Sequence, residues 1–168
     1  MYFRIIHKPK QKGKLKRENK QRKGRCFMYK AVDLAKYIVT KCVNDKCPIS
    51  NLQLQKILYY IQKKFLDDEN NTIFLDDIEA WQFGPVVPKV YYMFCAFGSM
   101  PIRFEYENAP IDEHDRIVID TVVEEKRILD PWALVDDTHE QGKAWSIIYN
   151  DGAGNKKIIP PDLIKKVG

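Results

Sequence analysis

Ile49-Ser-Asn-Leu-Gln-Leu-Gln-Lys-Ile-Leu-Tyr-Tyr-Ile-Gln62 is the stretch that decides how this chain folds. Ser50 and Gln53 have the spacing of a capping box, in which each side chain takes up a backbone N–H that the first helical turn leaves open. Ile49 and Leu54 stand at the staple positions just outside and just inside that cap. Leu54, Ile57, Leu58, Ile61 and Phe65 then recur at helical spacing and form one apolar stripe. Gln53, Gln55, Lys56, Gln62 and Lys63 fall off the stripe. The stretch predicts a core helix.

Downstream, Thr72–Leu75 and Glu79–Phe83 are short and β-prone, and Asp76-Asp77 between them suits a turn. These two segments predict a small hairpin. In Trp81-Gln-Phe-Gly-Pro-Val-Val-Pro88, Gly84 supplies a turn, and Pro85 or Pro88 suits a first helical turn, where the missing N–H costs little. Val87, Val90, Tyr91 and Phe94 carry a second apolar stripe.

Leu54-Gln-Lys-Ile-Leu-Tyr-Tyr-Ile-Gln62, followed by Glu79-Ala-Trp-Gln-Phe-Gly-Pro-Val-Val-Pro-Lys-Val-Tyr91, resembles the Panacea domain. This is the SocA-like antitoxin domain, also found in phage-associated proteins. The likeness extends from about Tyr29 to the C-terminus and takes in Thr138-His139, Trp145 and Ile158–Val167. It implies an antitoxin that binds and masks a toxic partner. Members of the family are paired with unrelated toxins, so the chemistry of the toxin does not follow.

Of 28 basic and 23 acidic residues, eleven and one fall in Met1–Phe27. That segment carries +10, and Met28–Gly168 is left with −5. Two expectations compete for the arm. One is a basic tail for nucleic acid or an anionic membrane. The other is a wrongly joined leader, because Lys23-Gly24-Arg25 can be encoded by a ribosome-binding sequence at a suitable distance from a start at Met28. The second is preferred, since the arm lacks the periodicity and interleaved aromatics of a nucleic-acid surface. Its scarce apolar surface predicts disorder either way. Residues 28–168 are expected to be the folded domain.

No apolar run reaches the length of a membrane span, and no signal peptide opens the chain. Cys26, Cys42, Cys47 and Cys95 have irregular spacing, which fits reduced thiols in a cytoplasm.

A first domain helix is expected over about Tyr29–Val43, with Ala31, Leu34, Ala35, Ile38, Val39 and Cys42 on one face. Asn44-Asp45 and Pro48 separate it from the capped helix. Gly98 can close the Pro-started helix, and Ser99–Pro110 reads as an extended surface arm. Ile111–Leu129 is β-branched, yet Asp112 can cap it and Lys126-Arg127 suit a helix C-terminus, so a helix is predicted. Asp130-Pro131 caps and opens another helix, with Trp132 and Val135 inward. A helical segment around Ala144–Tyr149, a strand at Lys157–Ile159 and a final turn from Pro160 follow. The fold class expected is mainly α, a compact helical domain with a minor sheet.

Asp136-Asp137-Thr138-His139-Glu140 could bind a metal or work as acid and base. A simpler explanation is preferred, in which Thr138 and His139 bond locally to the end of their own helix. Cys42 and Cys47 could hold half a zinc site, but Cys42 lies on an apolar face where a buried thiol is usual. Gly152-Ala-Gly154-Asn-Lys-Lys157 lacks P-loop spacing and the Ser/Thr that would reach magnesium. No nucleophile signature is present. Catalytic residues, metal and cofactor are therefore expected to be none.

Tyr59, Tyr60, Trp81, Phe83, Tyr91, Tyr92 and Phe94 cluster in the capped helix and the segments after it, and Tyr59-Tyr60 and Tyr91-Tyr92 are adjacent pairs whose members cannot both face inward. A partner interface is therefore expected at Gln55, Tyr59, Trp81, Pro85 and Tyr91, with Tyr59 or Tyr91 as anchor and Trp81 mainly structural. The partner expected is a cognate toxin encoded nearby. Two rivals are a nucleic-acid-binding regulator using the basic arm and a hydrolase built on His139 and its neighbouring acids.

Overall fold

Ser50 and Gln53 close the predicted box: the Gln53 amide N–H donates to Ser50 Oγ at 3.3 Å, and the Ser50 N–H donates to Gln53 Oε1 at 3.0 Å. The structure, a computed structural model, describes residues 28–107 and 109–168. The basic arm and the expectations attached to it lie outside the described residues. Among these residues the order is α1 (Ala31–Asn44), α2 (Asn51–Glu69), β1 (Glu79–Trp81), β2 (Gly84–Val86), α3 (Pro88–Phe94), α4 (Glu113–Lys126), α5 (Pro131–His139), α6 (Ala144–Tyr149), β3 (Lys157–Ile158) and α7 (Pro161–Val167). The protein is mainly α with a small three-stranded antiparallel sheet, as the sequence predicts.

Helix α2 is the axis. It packs against α1, α3, α4, α5, α7 and β2. Its stripe of Leu54, Ile57, Leu58, Ile61 and Phe65 is buried, together with the predicted face of α1. Removing each such side chain from water is worth about 1.5–3 kcal/mol before ordering costs are counted.

Lying off the stripe does not place a residue of α2 in water. Gln55, Lys56 and Gln62 are buried as deeply as the stripe. Helix α2 keeps a solvated face only toward its C-terminal end, at Lys64, Asp67, Asp68 and Glu69, so the polar side chains of its enclosed part must find partners inside. They bind backbone. Gln55 Oε1 accepts the Val87 N–H at 2.9 Å. Gln62 Oε1 accepts the Ile73 N–H at 3.1 Å, while its amide donates to the Phe74 carbonyl at 3.1 Å. Lys56 Nζ donates to the Pro85 carbonyl at 3.2 Å. Side chains of the helix thus complete the hydrogen bonding of the irregular chain around it.

The predicted hairpin is displaced. Thr72–Leu75 does not pair with β1; Phe74 makes only an isolated parallel bridge to Tyr29. Gln62 already occupies the backbone groups of Ile73 and Phe74 that a ladder would need. The partner of β1 is β2 instead, with Ala80 opposite Pro85 and Trp81 opposite Gly84, and β3 pairs on the other side. Pro85 is tolerated because β2 is an edge strand. Gly84 has φ +104°, a conformation that a Cβ opposes.

The C-terminal expectations hold in outline. Asp112 caps α4 through the His114 N–H, and Asp130 caps α5 through the Trp132 and Ala133 N–H groups. Trp132 is the exception: it was expected inward and is 56% exposed, while Val135 is buried. Helix α1 has no cap of its own, and its Ala31 N–H donates to Asp76 Oδ2 at 3.0 Å across 45 residues. Among the described residues, no helix is long and apolar enough to cross a membrane.

Candidate functional site

The five residues expected to meet a partner separate into two groups. Gln55 and Tyr59 are 2% exposed and Pro85 is buried, so none of the three can face a partner. Tyr59 was the favoured anchor together with Tyr91; α2 is covered on the side where Tyr59 points, and the tyrosine is part of the core. Trp81 and Tyr91 are half-buried and come together, with ring centroids 4.9 Å apart.

Around that pair lies an aromatic platform. Tyr92, 61% exposed, packs edge-on against Trp81 at 6.0 Å and against Tyr91 at 5.5 Å. The Lys156 ammonium lies 5.2 Å from the Trp81 ring centroid. Backbone and side-chain bonds fix the pieces. Trp81 Nε1 donates to Glu79 Oε2 at 2.8 Å, and the Trp81 carbonyl accepts from Trp145 Nε1 at 2.9 Å. Asn51 Nδ2 donates to the Tyr91 carbonyl at 3.1 Å, tying α3 to the start of α2. Gln55 does the same one residue before α3, at the Val87 N–H. Of the buried members of the expected set, Gln55 holds the start of α3 and Pro85 lies opposite Ala80 of β1, so these two position the platform from beneath it.

A second aromatic pair sits at the hairpin tip. Phe83, in the two-residue turn after Trp81, meets Trp132 of α5 edge-to-face at 5.6 Å. Sequence reasoning counted Phe83 and Tyr92 among the clustered aromatics without placing them in the partner set, and it turned Trp132 inward. Their signal was weak but present: Ile128-Leu129-Asp130-Pro131-Trp132 places apolar residues around a helix cap, where a turn is normally polar.

Beneath the hairpin, Lys56 extends from α2 to the Pro85 carbonyl and passes under Gly84. Burial without a carboxylate partner pushes its pKa down to about 7. His139 is nearby. Burial, and then the Lys56 charge, lower its pKa, so the imidazole is neutral at physiological pH. Its ring stacks on Trp145 at 3.5 Å, and Trp145 stacks on Tyr149 at 4.5 Å. His139 Nε2 is buried, with no hydrogen-bond partner among the described residues. The expected local bond is made by Thr138, whose Oγ1 donates to the Val135 carbonyl at 2.9 Å, whereas His139 is held by stacking.

The acids beside His139 do not converge on it. Asp137 accepts from Tyr60 and pairs with Lys143; burial opposes its ionisation, but these two partners outweigh it and hold its pKa below the usual carboxylate value. Burial pushes the Cys42 thiol up to about 11, so it is protonated at neutral pH. Glu69, His114 and Asp115 have ligand atoms within 4.8 Å of one another. His114 Nε2 is 3.1 Å from Glu69 Oε1, and Asp115 accepts from the Tyr29 hydroxyl at 2.9 Å.

Residues 54–146 match the family described as Antitoxin SocA-like, Panacea domain. The chain is also 31% identical over 134 residues to Antitoxin SocA of Caulobacter vibrioides (strain NA1000 / CB15N), covering 73% of this chain and 71% of that one. No solved structure matches it. The matched region holds α2 from Leu54 onward, the hairpin, the rings of Trp81, Tyr91 and Tyr92, and the Lys56–Gly84–Thr138 contact in a single segment. This chain belongs to the SocA-like antitoxin family that carries the Panacea domain.

Proposed function

We propose that this protein is the antitoxin of a toxin–antitoxin pair and that it neutralises its toxin by direct binding rather than by catalysis. The observation that carries this is the platform of Trp81, Tyr91 and Tyr92, rigidly mounted on the segment that matches the antitoxin family. Aromatic rings with one open face offer large contact area at small ordering cost. Gln55 and Pro85 support the platform from beneath, and Tyr59 belongs to the core. A toxin encoded nearby and a cytoplasmic setting belong to the same proposal.

The test is co-expression with the product of the adjacent reading frame. Growth arrest caused by that product should be relieved by the chain and restored by Tyr91→Ala or Tyr92→Ala. Each truncation should cost about 2 kcal/mol of binding, roughly thirtyfold in affinity, with melting unchanged. Full rescue by every well-folded variant, including Trp81→Phe, would place the interface elsewhere.

A further inference from the structure

Four large apolar side chains stand in water where α4 passes into α5: Ile128 is 73% exposed, Leu129 41%, Trp132 56% and, from the hairpin tip, Phe83 48%. Isolated apolar residues on a surface need no explanation, but a group including an edge-to-face aromatic pair does. We propose that this face receives an apolar anchor of the toxin flanked by lysine or arginine, an inference that rests on the antitoxin function above.

The face is rigid. Gln53 Nε2 donates to the Arg127 carbonyl at 3.3 Å and to the Leu129 carbonyl at 3.2 Å, pinning the turn to α2. Asp130 Oδ1 accepts the Trp132 N–H at 2.8 Å, which fixes the first turn of α5. A partner docking here finds side chains on an already ordered backbone, so little freedom is lost on association.

Charge selects the occupant. Most ions nearby are already paired: Arg127 with Asp45, Glu124 with Lys41, and Asp137 and Glu140 with Lys143. The Lys126 ammonium lies over the Tyr60 ring, 4.0 Å from its centroid. Among the described residues, Glu125, Asp130 and Asp136 make no salt bridge, and Asp136 lies one helical turn beyond Trp132 on α5. The described rim therefore presents three carboxylates outside its ion pairs, on residues 28–168, whose own balance is −5. Basic residues beside an apolar anchor complement it. A second copy of this chain, docked through the same face, would set carboxylates against carboxylates.

The experiment measures the affinity of the full chain for the purified neighbouring toxin at about 50 mM and about 500 mM salt, between which screening becomes short-ranged. Trp132→Ala should weaken binding about thirtyfold at either salt concentration, as loss of a buried anchor does. Ile128→Asp is a second variant on the same face and should weaken binding comparably. Glu125→Lys combined with Asp136→Lys should weaken binding at low salt and flatten its salt dependence. All three proteins should melt as the parent does, because none of these side chains is in the core. Parent-like toxin binding by the well-folded variants overturns the proposal. So does a parent that sediments as a dimer which Trp132→Ala dissociates while toxin binding persists, since the face then belongs to a second copy. If the parent itself neither binds the toxin nor relieves growth arrest, the antitoxin function fails, and this proposal with it.

Discussion

Methionine in place of Lys56 should raise the unfolding free energy at neutral pH and abolish a pH dependence that the parent shows. Lys56 is fully buried, and its pKa falls from 10.5 to about 7 on folding. The unfolded chain takes up the proton as pH falls through 10.5, while the folded protein resists it until about 7. Stability that is fully present above the unfolded value is therefore lost progressively on descending to about 7, and levels off below that. Over the window from about pH 7 to about pH 9.5 the parent should gain about 3 kcal/mol from this group. Methionine fills similar volume without a charge, but leaves the Pro85 carbonyl unpaired, which costs about 1–3 kcal/mol at every pH. The variant should thus be the more stable protein near pH 7, and its advantage should shrink by about 3 kcal/mol by pH 9.5. Urea denaturation of both proteins across that window measures the difference, in which the tyrosine and cysteine titrations common to both cancel. Parallel curves would mean that Lys56 is charged in the native state.

Alanine at position 84 should be among the most damaging single-methyl additions in the protein. At φ +104° an L side chain is strained, and the new Cβ would lie 2.6 Å from Lys56 Cε and Nζ and 2.9 Å from Thr138 Oγ1. The lysine end is normally a flexible neighbour, but here it is fully enclosed and has nowhere to swing. Strain and overpacking together predict a loss of about 3 kcal/mol or more. Shortening the lysine removes the steric part only. Gly84→Ala should therefore cost less in a Lys56→Ala background, with a coupling of about 1 kcal/mol or more in the double-mutant cycle. Strict additivity in denaturation would show that the backbone angle alone explains the glycine.

What the sequence disclosed and what it hid divide along sequence distance. The α2 box, the Asp112 cap and the Asp130 cap each join residues two or three apart, and all three form where expected. The strand pairing of Thr72–Leu75 was misread because its competitor is Gln62, a side chain on another element. The burial of Gln55, Lys56 and Gln62 was hidden for a related reason. Periodicity shows one apolar stripe and not how many neighbours close around a helix, and the part of α2 from Leu54 to Gln62 is enclosed on nearly all sides. The interface expectation inherited that blindness: Gln55 and Tyr59 lie in the enclosed part, whereas Trp81 and Tyr91, on shorter peripheral elements, are half-buried. Trp132 was misplaced in the opposite direction, because a large aromatic beside a capped turn was assumed to be core.

The first two helices differ in what each must wait for. Helix α2 carries its own start signal in Ser50 and Gln53, so its first turn can be secured as soon as those residues are helical. Helix α1 borrows its start from Asp76, and that carboxylate comes into place only once the chain has run the length of α2 and doubled back. Closing so long a loop costs entropy before any contact offsets it. In kinetic terms the N-terminal end of α1 belongs to the late part of folding although it comes first in the chain. Asp76→Ala should therefore speed unfolding and leave the refolding rate nearly unchanged in stopped-flow measurements, whereas Ser50→Ala should slow refolding. During synthesis the start of α1 must consequently remain unsecured until residues well beyond α2 have emerged.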